Sequence, residues 1–327
     1  GANILFIPLT AIFTLLVLVY TSITLHATDR LKSACFLGYE GILIGAFSAM
    51  NLMQFWLWCV LELIPVVLLT IRAGTGENRR WVVAFLLQHW LSGLLMTLAG
   101  FMLLAFGLMG ATPDAELTFD WLKLKEVSNA HLQYGSLIFF LLFFGFAIRM
   151  PIFPFHGWLP VLAEQGTVAS VAIFLVGLKL GVYGAIRFIL PLIPEIAEQW
   201  SGFVLTLGLI SIVYGALLAL MQINIRRLLA FAVVSHTGML VIGIFDFNKY
   251  GMEGTILLSV AYGLATAGML FSVGLIYERT RTAFIPRMGG LFDTNTTLAF
   301  LFVISALTTM VMPGTPGFDG AHLLIEG

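Results

Sequence analysis

Apolar runs long enough to cross a lipid bilayer follow one another along this 327-residue chain, with short polar loops between them. A helix needs about 20 consecutive apolar residues to cross the hydrocarbon core. Charged residues make up only 10% of the chain and apolar residues 60%, whereas soluble domains have roughly 25% and 45–50%. The sequence therefore predicts an all-α polytopic membrane protein. Ten spans are predicted, at about 4–25, 34–51, 52–71, 82–110, 134–164, 168–190, 203–222, 228–246, 255–277 and 297–327, and the fifth and last of them are broken.

The basic residues predict how these spans are oriented. Ten arginines and lysines fall in alternate loops, and four fall in or near the loops between them. Because cytoplasmic loops carry an excess of basic residues, we expect the first group to face the cytoplasm or the equivalent negative side. The ten are Arg30, Lys32, Arg72, Arg79, Arg80, Arg226, Arg227, Arg279, Arg281 and Arg287, and the four are Lys123, Lys125, Arg187 and Lys249. A tight turn near Asn51 is predicted between the second and third spans. The net charge of −1 indicates no nucleic-acid partner.

Two further basic residues, Arg149 and Lys179, belong to neither group and lie inside apolar runs. The stretch between them is interrupted by Pro151 and Pro154. Irregular backbone is tolerated in a bilayer only where protein or a water-filled cavity surrounds it. A second proline break follows near Pro313, and broken helices at corresponding positions of two halves are typical of inverted-repeat transporters. The sequence therefore predicts a pathway for ions, and for protons in particular.

Three buried charges are the first candidates for this pathway. A carboxylate in the apolar run around Glu62 is costly unless it is paired or protonated, so Glu62 could carry protons or form only a structural ion pair. Pro65, three residues further on, predicts a local backbone distortion there. Lys179 lies midway along its span, too deep to reach an interface comfortably, and a desolvated lysine can exchange a proton near neutral pH. Arg149 stays protonated, so it is a poor proton carrier, and it could serve a purely structural role or hold the carboxylate of Glu62 in the proton path. If it pairs with Glu62, we expect gating either by a guanidinium that moves or by a Lys179 that titrates.

Two uncharged side chains could extend the pathway. The neutral imidazole of His236 can relay protons through its two nitrogens, although an ordinary core histidine explains it equally well. Tyr262 could continue a hydrogen-bonded chain or serve only in packing. Glu40 is a weaker candidate because it lies nearer the start of its helix. The chain has no Cys-x-x-Cys, dinucleotide-binding or Walker motif, and Cys35 and Cys59 lack metal-ligand spacing, so it is predicted to hold no redox cofactor itself.

Five strings, LELIPVVLL, MPIFPFHGWLP, LVGLKLGVYGAIRF, IRRLLAFAVVSHTGML and MPGTPGF, resemble the antiporter-like membrane subunits of complex I in order and spacing. The M type (the NuoM/NdhD family) fits best, and the likeness covers nearly the whole chain. It implies a fourteen-helix fold in which two inverted five-helix repeats each form a half-channel around a broken helix. We expect residues 1–33 to end an N-terminal helix group, 34–192 to form the first half-channel, and 193–327 to form an incomplete second one. The chain is expected to be a fragment of a longer protein.

The resemblance assigns roles by motif. Glu62 matches the family's charge-carrying glutamate, Lys179 the lysine of its eighth helix, and His236 a histidine of its central proton axis. Two positions depart from the pattern, because Arg149 replaces a lysine before the broken helix and Tyr262 replaces a second axial histidine. The string VLAEQGTVAS also departs from the family's pattern. Together with PGFDGAHLLIEG, these departures resemble the D subunits of cyanobacterial complexes specialised for carbon dioxide uptake.

The resemblance implies a proton-translocating subunit of a complex I-type NAD(P)H/ferredoxin:quinone oxidoreductase, which couples quinone reduction to proton transfer across the membrane. NAD(P)H or ferredoxin, quinone and iron–sulfur clusters are then expected in partner subunits. The implied partners are lipids and other membrane-arm subunits, including further antiporter-like ones. The implied location is the bacterial inner membrane or the cyanobacterial thylakoid membrane. Two alternatives stay open: an Mrp-type cation/proton antiporter subunit, which shares these motifs, and a structural membrane subunit that has lost transport.

Overall fold

A computed structural model describes residues 3–24, 30–74, 76–111, 116–128 and 131–326. Within these ranges the chain is helical, and its only β-structure is two isolated bridges. Short 3-10 helices cover Met109–Ala111 and Ile285–Arg287, and a π-helix covers Ala185–Ile189. The α-helices are α1 (Asn3–Thr24), α2 (Arg30–Ser48), α3 (Leu52–Leu61), α4 (Leu63–Ala73), α5 (Arg79–Leu108), α6 (Trp121–Glu126), α7 (Gly135–Arg149), α8 (Trp158–Gln165), α9 (Val168–Gly177), α10 (Lys179–Gly184), α11 (Leu190–Leu192), α12 (Pro194–Gln199), α13 (Ser201–Leu220), α14 (Ile225–Phe245), α15 (Lys249–Thr280), α16 (Leu291–Thr294), α17 (Thr296–Thr309) and α18 (Pro316–Glu326).

All ten predicted spans are observed as helices. Seven helical segments of the described chain are long and apolar enough to cross a membrane, and α2, α7 and α17 account for the other three. The fifth and last spans are broken as predicted, since α8 resumes after α7 and α18 after α17. Several helices extend beyond the predicted spans because hydropathy marks only the part of a helix that lies in the bilayer. For example, α15 begins six residues before its span, where Asn248 caps it by accepting a hydrogen bond from the N–H of Tyr250 at 2.9 Å.

One end of the bundle is closed by the turn between α2 and α3. Asn51 caps α3, and its Oδ1 accepts hydrogen bonds from two backbone N–H groups of the first turn, at 2.8 and 3.3 Å. The predicted turn is therefore confirmed. Asn51 also forms an antiparallel bridge with Asp120, and the adjacent Trp121 donates its ring N–H to the carbonyl of Arg187 at 2.8 Å. The loop that holds Lys123 and the helix end that holds Arg187 thus share this end.

The arginine-rich loops lie at the opposite end of the bundle. Arg227 forms an ion pair with Glu164 at 3.0 Å, and the loop before α5 hydrogen-bonds to the end of α8. A second bridge joins the loop before α14 to the loop after α15. Lys32 and Arg226 line one cavity of about 210 Å³ at this end. The grouping of loops that the basic residues predict is therefore confirmed where the chain is described, and the assignment of this end to the cytoplasm stays a prediction.

The helical segment from 168 to 192 lies at the centre of the bundle. In the most apolar part of this segment 94% of the residues are buried, whereas the buried share in the other six crossing segments is 33% to 67%. Helix α7 packs closely against it, since a Cβ at Gly181 would lie 2.5 Å from the backbone nitrogen of Met150. Only glycine permits this approach. The close packing places Arg149, the last residue of α7, beside the central segment that carries Lys179.

Candidate functional site

Glu62 lies at the junction of α3 and α4 and is fully buried. Its Oε2 forms an ion pair with Arg149, and its Oε1 accepts a hydrogen bond from the phenol of Tyr39 at 2.5 Å. The predicted pairing with Arg149 is confirmed. The predicted backbone distortion is also confirmed, because α3 and α4 are separate helices that meet at Glu62, and Pro65 follows in the first turn of α4. A proline interrupts the regular hydrogen-bond pattern of a helix and so favours such a break.

The Arg149 guanidinium is held from several sides. Its central carbon lies 3.9 Å from the ring centroid of Trp90, and one of its N–H groups donates to the carbonyl of Gly177 at 3.3 Å. Trp90 itself packs edge-on against Trp158, with ring centroids 5.1 Å apart. A cation over an aromatic ring in a desolvated site gains about 2 kcal/mol. With the carboxylate of Glu62 as its third partner, the guanidinium is fixed in place and its charge is balanced.

Lys179 lies on the other side of the central segment from this ion pair. It follows Gly177 by two residues, and at 3.6 residues per turn that step is a rotation of about 200°. Lys179 therefore faces α14 and α15, where it lines a cavity of about 20 Å³. A cavity larger than roughly 10–15 Å³ can hold a water molecule where polar groups surround it. The polar residues that line this cavity are Lys179, His236, Thr237, Tyr262 and Thr266.

His236 and Tyr262 meet in that cavity as a stacked pair. Their ring centroids are 4.1 Å apart and the ring planes differ by 8°. Tyr262 donates its phenol hydrogen to the sulfur of Met239 at 3.3 Å. His236 interacts with the backbone of Thr309, the last residue of α17, while its Nδ1 has no hydrogen-bond partner among the described residues. The imidazole thus lies between Lys179 and the second break.

The five sequence candidates therefore form two neighbouring clusters. Glu62 and Arg149 form the first, and Lys179, His236 and Tyr262 line the second, with the central segment between them. Within the described ranges, no group of three or more His, Cys, Asp or Glu side chains could hold a metal ion. Sequence reasoning missed Tyr39, Trp90 and Gly177. The sequence predicts the neighbouring Glu40 as a weaker candidate and not Tyr39, although Glu40 is partly exposed and Tyr39 is fully buried.

Fold and site together define a class of protein. Bilayer-length helices enclose an ion pair and a lysine amine next to two broken helices, which is the arrangement of a polytopic membrane protein that keeps ionisable groups inside its transmembrane region. Residues 49–327 match the family described as NADH:quinone oxidoreductase/Mrp antiporter, transmembrane. The chain belongs to this family and is an integral membrane protein.

Individual relatives agree with this assignment. NADH-quinone oxidoreductase subunit M of Rickettsia conorii is 32% identical over 328 residues, which is 100% of this chain and 65% of the relative. Subunit M of Rhodobacter capsulatus is 34% identical over 336 residues, 100% of this chain and 64% of the relative. The chain thus spans about two thirds of the length of these relatives. The predicted resemblance to M-type subunits is confirmed, whereas the narrower resemblance to carbon dioxide-uptake complexes stays a prediction.

Solved structures match the fold as well. A chain of the structure described as respiratory complex I from Thermus thermophilus with bound NADH superimposes with a TM-score of 0.86 and 30% identity, covering 97% of this chain and 67% of that one. A chain of the Mrp complex from Dietzia sp. DQ12-45-1b gives a TM-score of 0.90 at 21% identity, covering 99% of this chain and 60% of that one. The predicted antiporter-like helical fold is confirmed. The limits of the two half-channels, near 34, 192 and 327, stay predictions.

Proposed function

We propose that this chain is part of a proton-translocating, antiporter-like subunit of a complex I-type NAD(P)H/ferredoxin:quinone oxidoreductase. In this proposal the chain couples quinone reduction, carried out elsewhere, to proton transfer across the membrane. The observation that carries the proposal is the position of Lys179. Its amine lies in the most buried membrane segment and lines a cavity with two further groups able to exchange protons, His236 and Tyr262.

In this mechanism Lys179 binds and releases the proton. Among the described residues, its amine has no carboxylate within ion-pair distance and no hydrogen-bond partner, so its charge is not balanced locally and can change. A water molecule in the cavity would connect the amine to the imidazole of His236. His236 can then pass the proton on through its second nitrogen, toward Thr309 at the second break.

The ion pair between Glu62 and Arg149 has a different role in this proposal. An arginine does not release its proton under physiological conditions. Two explanations of such a pair were open from the sequence: a guanidinium that moves, or a nearby lysine that titrates. The contacts of Arg149 with Glu62, Trp90 and the carbonyl of Gly177 favour the second. The pair thus serves as a fixed electrostatic support beside the titrating lysine.

The proposed partners are lipids and other membrane-arm subunits, including further antiporter-like subunits. NAD(P)H or ferredoxin, quinone and iron–sulfur clusters belong to those partner subunits, and the proposed location is the bacterial inner membrane or the cyanobacterial thylakoid membrane. An Mrp-type cation/proton antiporter subunit is the second candidate, because the description of the matching family names the Mrp antiporter beside NADH:quinone oxidoreductase, and a chain of an Mrp complex superimposes with a TM-score of 0.90. At 21% identity that match reports the fold alone, whereas the full-length matches at 32% and 34% to subunit M support the first candidate.

The test replaces Lys179 by alanine in the assembled complex. Alanine keeps helix propensity and removes the titratable amine, so we expect proton pumping in sealed inverted vesicles to fall strongly while the complex remains assembled on native gels. Lys249→Ala is the matched control, because Lys249 is exposed and its pairing with Glu253 at 3.8 Å is a surface contact. Pumping by a fully assembled Lys179→Ala complex at the rate of the control would contradict the proposal and favour a structural subunit.

A further inference from the structure

Tyr39 is a buried tyrosine whose hydroxyl contacts the charge cluster. The side chain is 0% exposed, and its hydroxyl donates to Oε1 of Glu62 at 2.5 Å. The ring packs edge-on against Phe174 of α9, with centroids 5.5 Å apart. Tyr39 therefore connects α2 to the ion pair and to the central segment.

We propose that Tyr39 is a positioning residue that fixes the carboxylate of Glu62 and, through it, the place of Arg149 and the central segment. This inference rests on the proposed function. Arg149 binds Oε2 of Glu62, so Oε1 needs a donor of its own in a site without bulk water, because a buried charged group requires hydrogen bonds. Tyr39 supplies that donor. With one donor on each oxygen, the carboxylate has a single orientation.

Gly177 shows how closely the helices meet at this point. A Cβ at position 177 would lie 2.1 Å from the hydroxyl oxygen of Tyr39 and 2.6 Å from Oε1 of Glu62. Helix α9 therefore approaches the cluster with bare backbone, and its carbonyl at Gly177 accepts from Arg149. Lys179 is two residues away on the same segment. A change in the orientation of Glu62 would thus be transmitted to the helix that carries the proposed proton carrier.

The first experiment is Tyr39→Phe, which keeps the ring contact with Phe174 and removes only the hydroxyl. Tyr183→Phe is the matched control, because Tyr183 is also buried but donates to the backbone carbonyl of Phe47 at 2.9 Å. We expect Tyr39→Phe to lower proton pumping about tenfold, as for loss of a hydrogen bond to a charged group. Because little pumping remains in a Glu62→Gln background, the melting temperature of the assembled complex is compared there, and Tyr39→Phe is expected to lower it less than in the unaltered complex.

A coupling energy separates positioning from packing. The groups that interact with Glu62 are Tyr39 on α2, Cys59 on α3 and Arg149 on α7. Without the phenol donor, Oε1 of Glu62 loses its fixed partner, so Tyr39→Phe should reduce the coupling energy that a double-mutant cycle of Glu62→Gln and Arg149→Gln measures in melting temperature. Tyr183→Phe should leave that coupling energy unchanged. If Tyr39→Phe behaves like the control, or acts equally in the Glu62→Gln background, the positioning role is wrong.

A rescue experiment tests the contact without relying on transport. Gly177→Ala should destabilise the assembled complex because its methyl group collides with the hydroxyl of Tyr39. Adding Tyr39→Phe removes the closest atom of that collision but leaves Oε1 of Glu62 at 2.6 Å, so the double variant should be more stable than the sum of the two single changes predicts. Tyr183→Phe should add to Gly177→Ala without such a gain. If the effects of Gly177→Ala and Tyr39→Phe on the melting temperature simply add, the geometry of the contact is wrong, whereas pumping that survives Lys179→Ala would contradict the proposed function alone.

Discussion

Replacement of Glu62 by glutamine tests whether the buried ion pair behaves as one unit. Glutamine has nearly the same volume but no charge, so the Arg149 guanidinium would keep Trp90 and the carbonyl of Gly177 and lose its counter-charge. Removal of one partner from a buried pair destabilises a protein by about 3–5 kcal/mol. We therefore expect Glu62→Gln to lower the melting temperature of the assembled complex and to abolish most proton pumping.

Arg149→Lys should lower the melting temperature and proton pumping less than Glu62→Gln does, and it should also change how pumping depends on pH. Lysine keeps a positive charge near Glu62 but loses the planar contact with Trp90, worth about 2 kcal/mol in a desolvated site. A lysine amine can lose its proton when desolvated, so the pH profile of pumping should change while assembly is kept. Glu253→Gln is the control, since Glu253 pairs with Lys249 at an exposed site and surface pairs contribute only about 0–1 kcal/mol.

The decisive measurement is a double-mutant cycle with Glu62→Gln and Arg149→Gln. Residues in direct contact show coupling energies of about 0.5–3 kcal/mol, whereas independent sites add to within about 0.3–0.5 kcal/mol. Four proteins would be compared: the unaltered complex, the two single variants and the double variant. For each, native gels would follow the melting temperature of the complex, and proton pumping would be measured at several pH values. If the two single changes add in both assays, Glu62 and Arg149 do not act as a pair and the fixed electrostatic support does not exist.

Two further predictions concern the arginine-rich end of the bundle. Single cysteines in place of Arg80 and Lys123 should be labelled from opposite sides of sealed vesicles, with position 80 on the cytoplasmic or equivalent side, and labelling from one side would refute the topology. Arg226→Gln should lower the melting temperature more than Arg227→Gln. Arg226 donates to two carbonyls at the end of α8, and hydrogen bonds to charged groups contribute about 1.5–3 kcal/mol, whereas the ion pair of Arg227 is partly exposed and contributes at most about 1 kcal/mol. Equal effects of the two changes would contradict this assignment.

The features that could be predicted from the sequence are those with a large energetic penalty. A charge in an apolar run is costly without a partner, so Glu62 and Arg149 point to each other although they lie 87 residues apart. The two helix breaks follow in the same way from proline, which removes a backbone donor. The turn at Asn51 follows from a side chain that readily caps a helix. In each case the sequence contains a residue that a regular buried helix would not tolerate.

Features that depend on which way an ordinary residue faces could not be predicted. Tyr39 and Trp90 are unremarkable in apolar helices, where aromatic residues contact lipid and protein interior alike. Their roles arise from packing against residues distant in sequence, and Tyr39 hydrogen-bonds to Glu62 across 23 positions. Helices α9 and α10 are separated at Leu178, and no proline at this position predicts the break. Because Gly177 is one of 33 glycines in the chain, composition alone cannot single it out.

The rotation between Gly177 and Lys179 explains how one helix can serve both clusters. At Gly177 the central segment contacts a pair whose charges cancel and whose members are held by fixed partners, so this side offers a constant electrostatic environment. At Lys179 it places an amine in a cavity that also contains a stacked imidazole and phenol. This amine has no ion-pair partner in the described chain. An arginine at position 149 keeps its charge, so in the proposed function the change of charge falls to Lys179 and His236. The proposed switch therefore lies on the side of the central segment that faces α14, α15 and the second helix break.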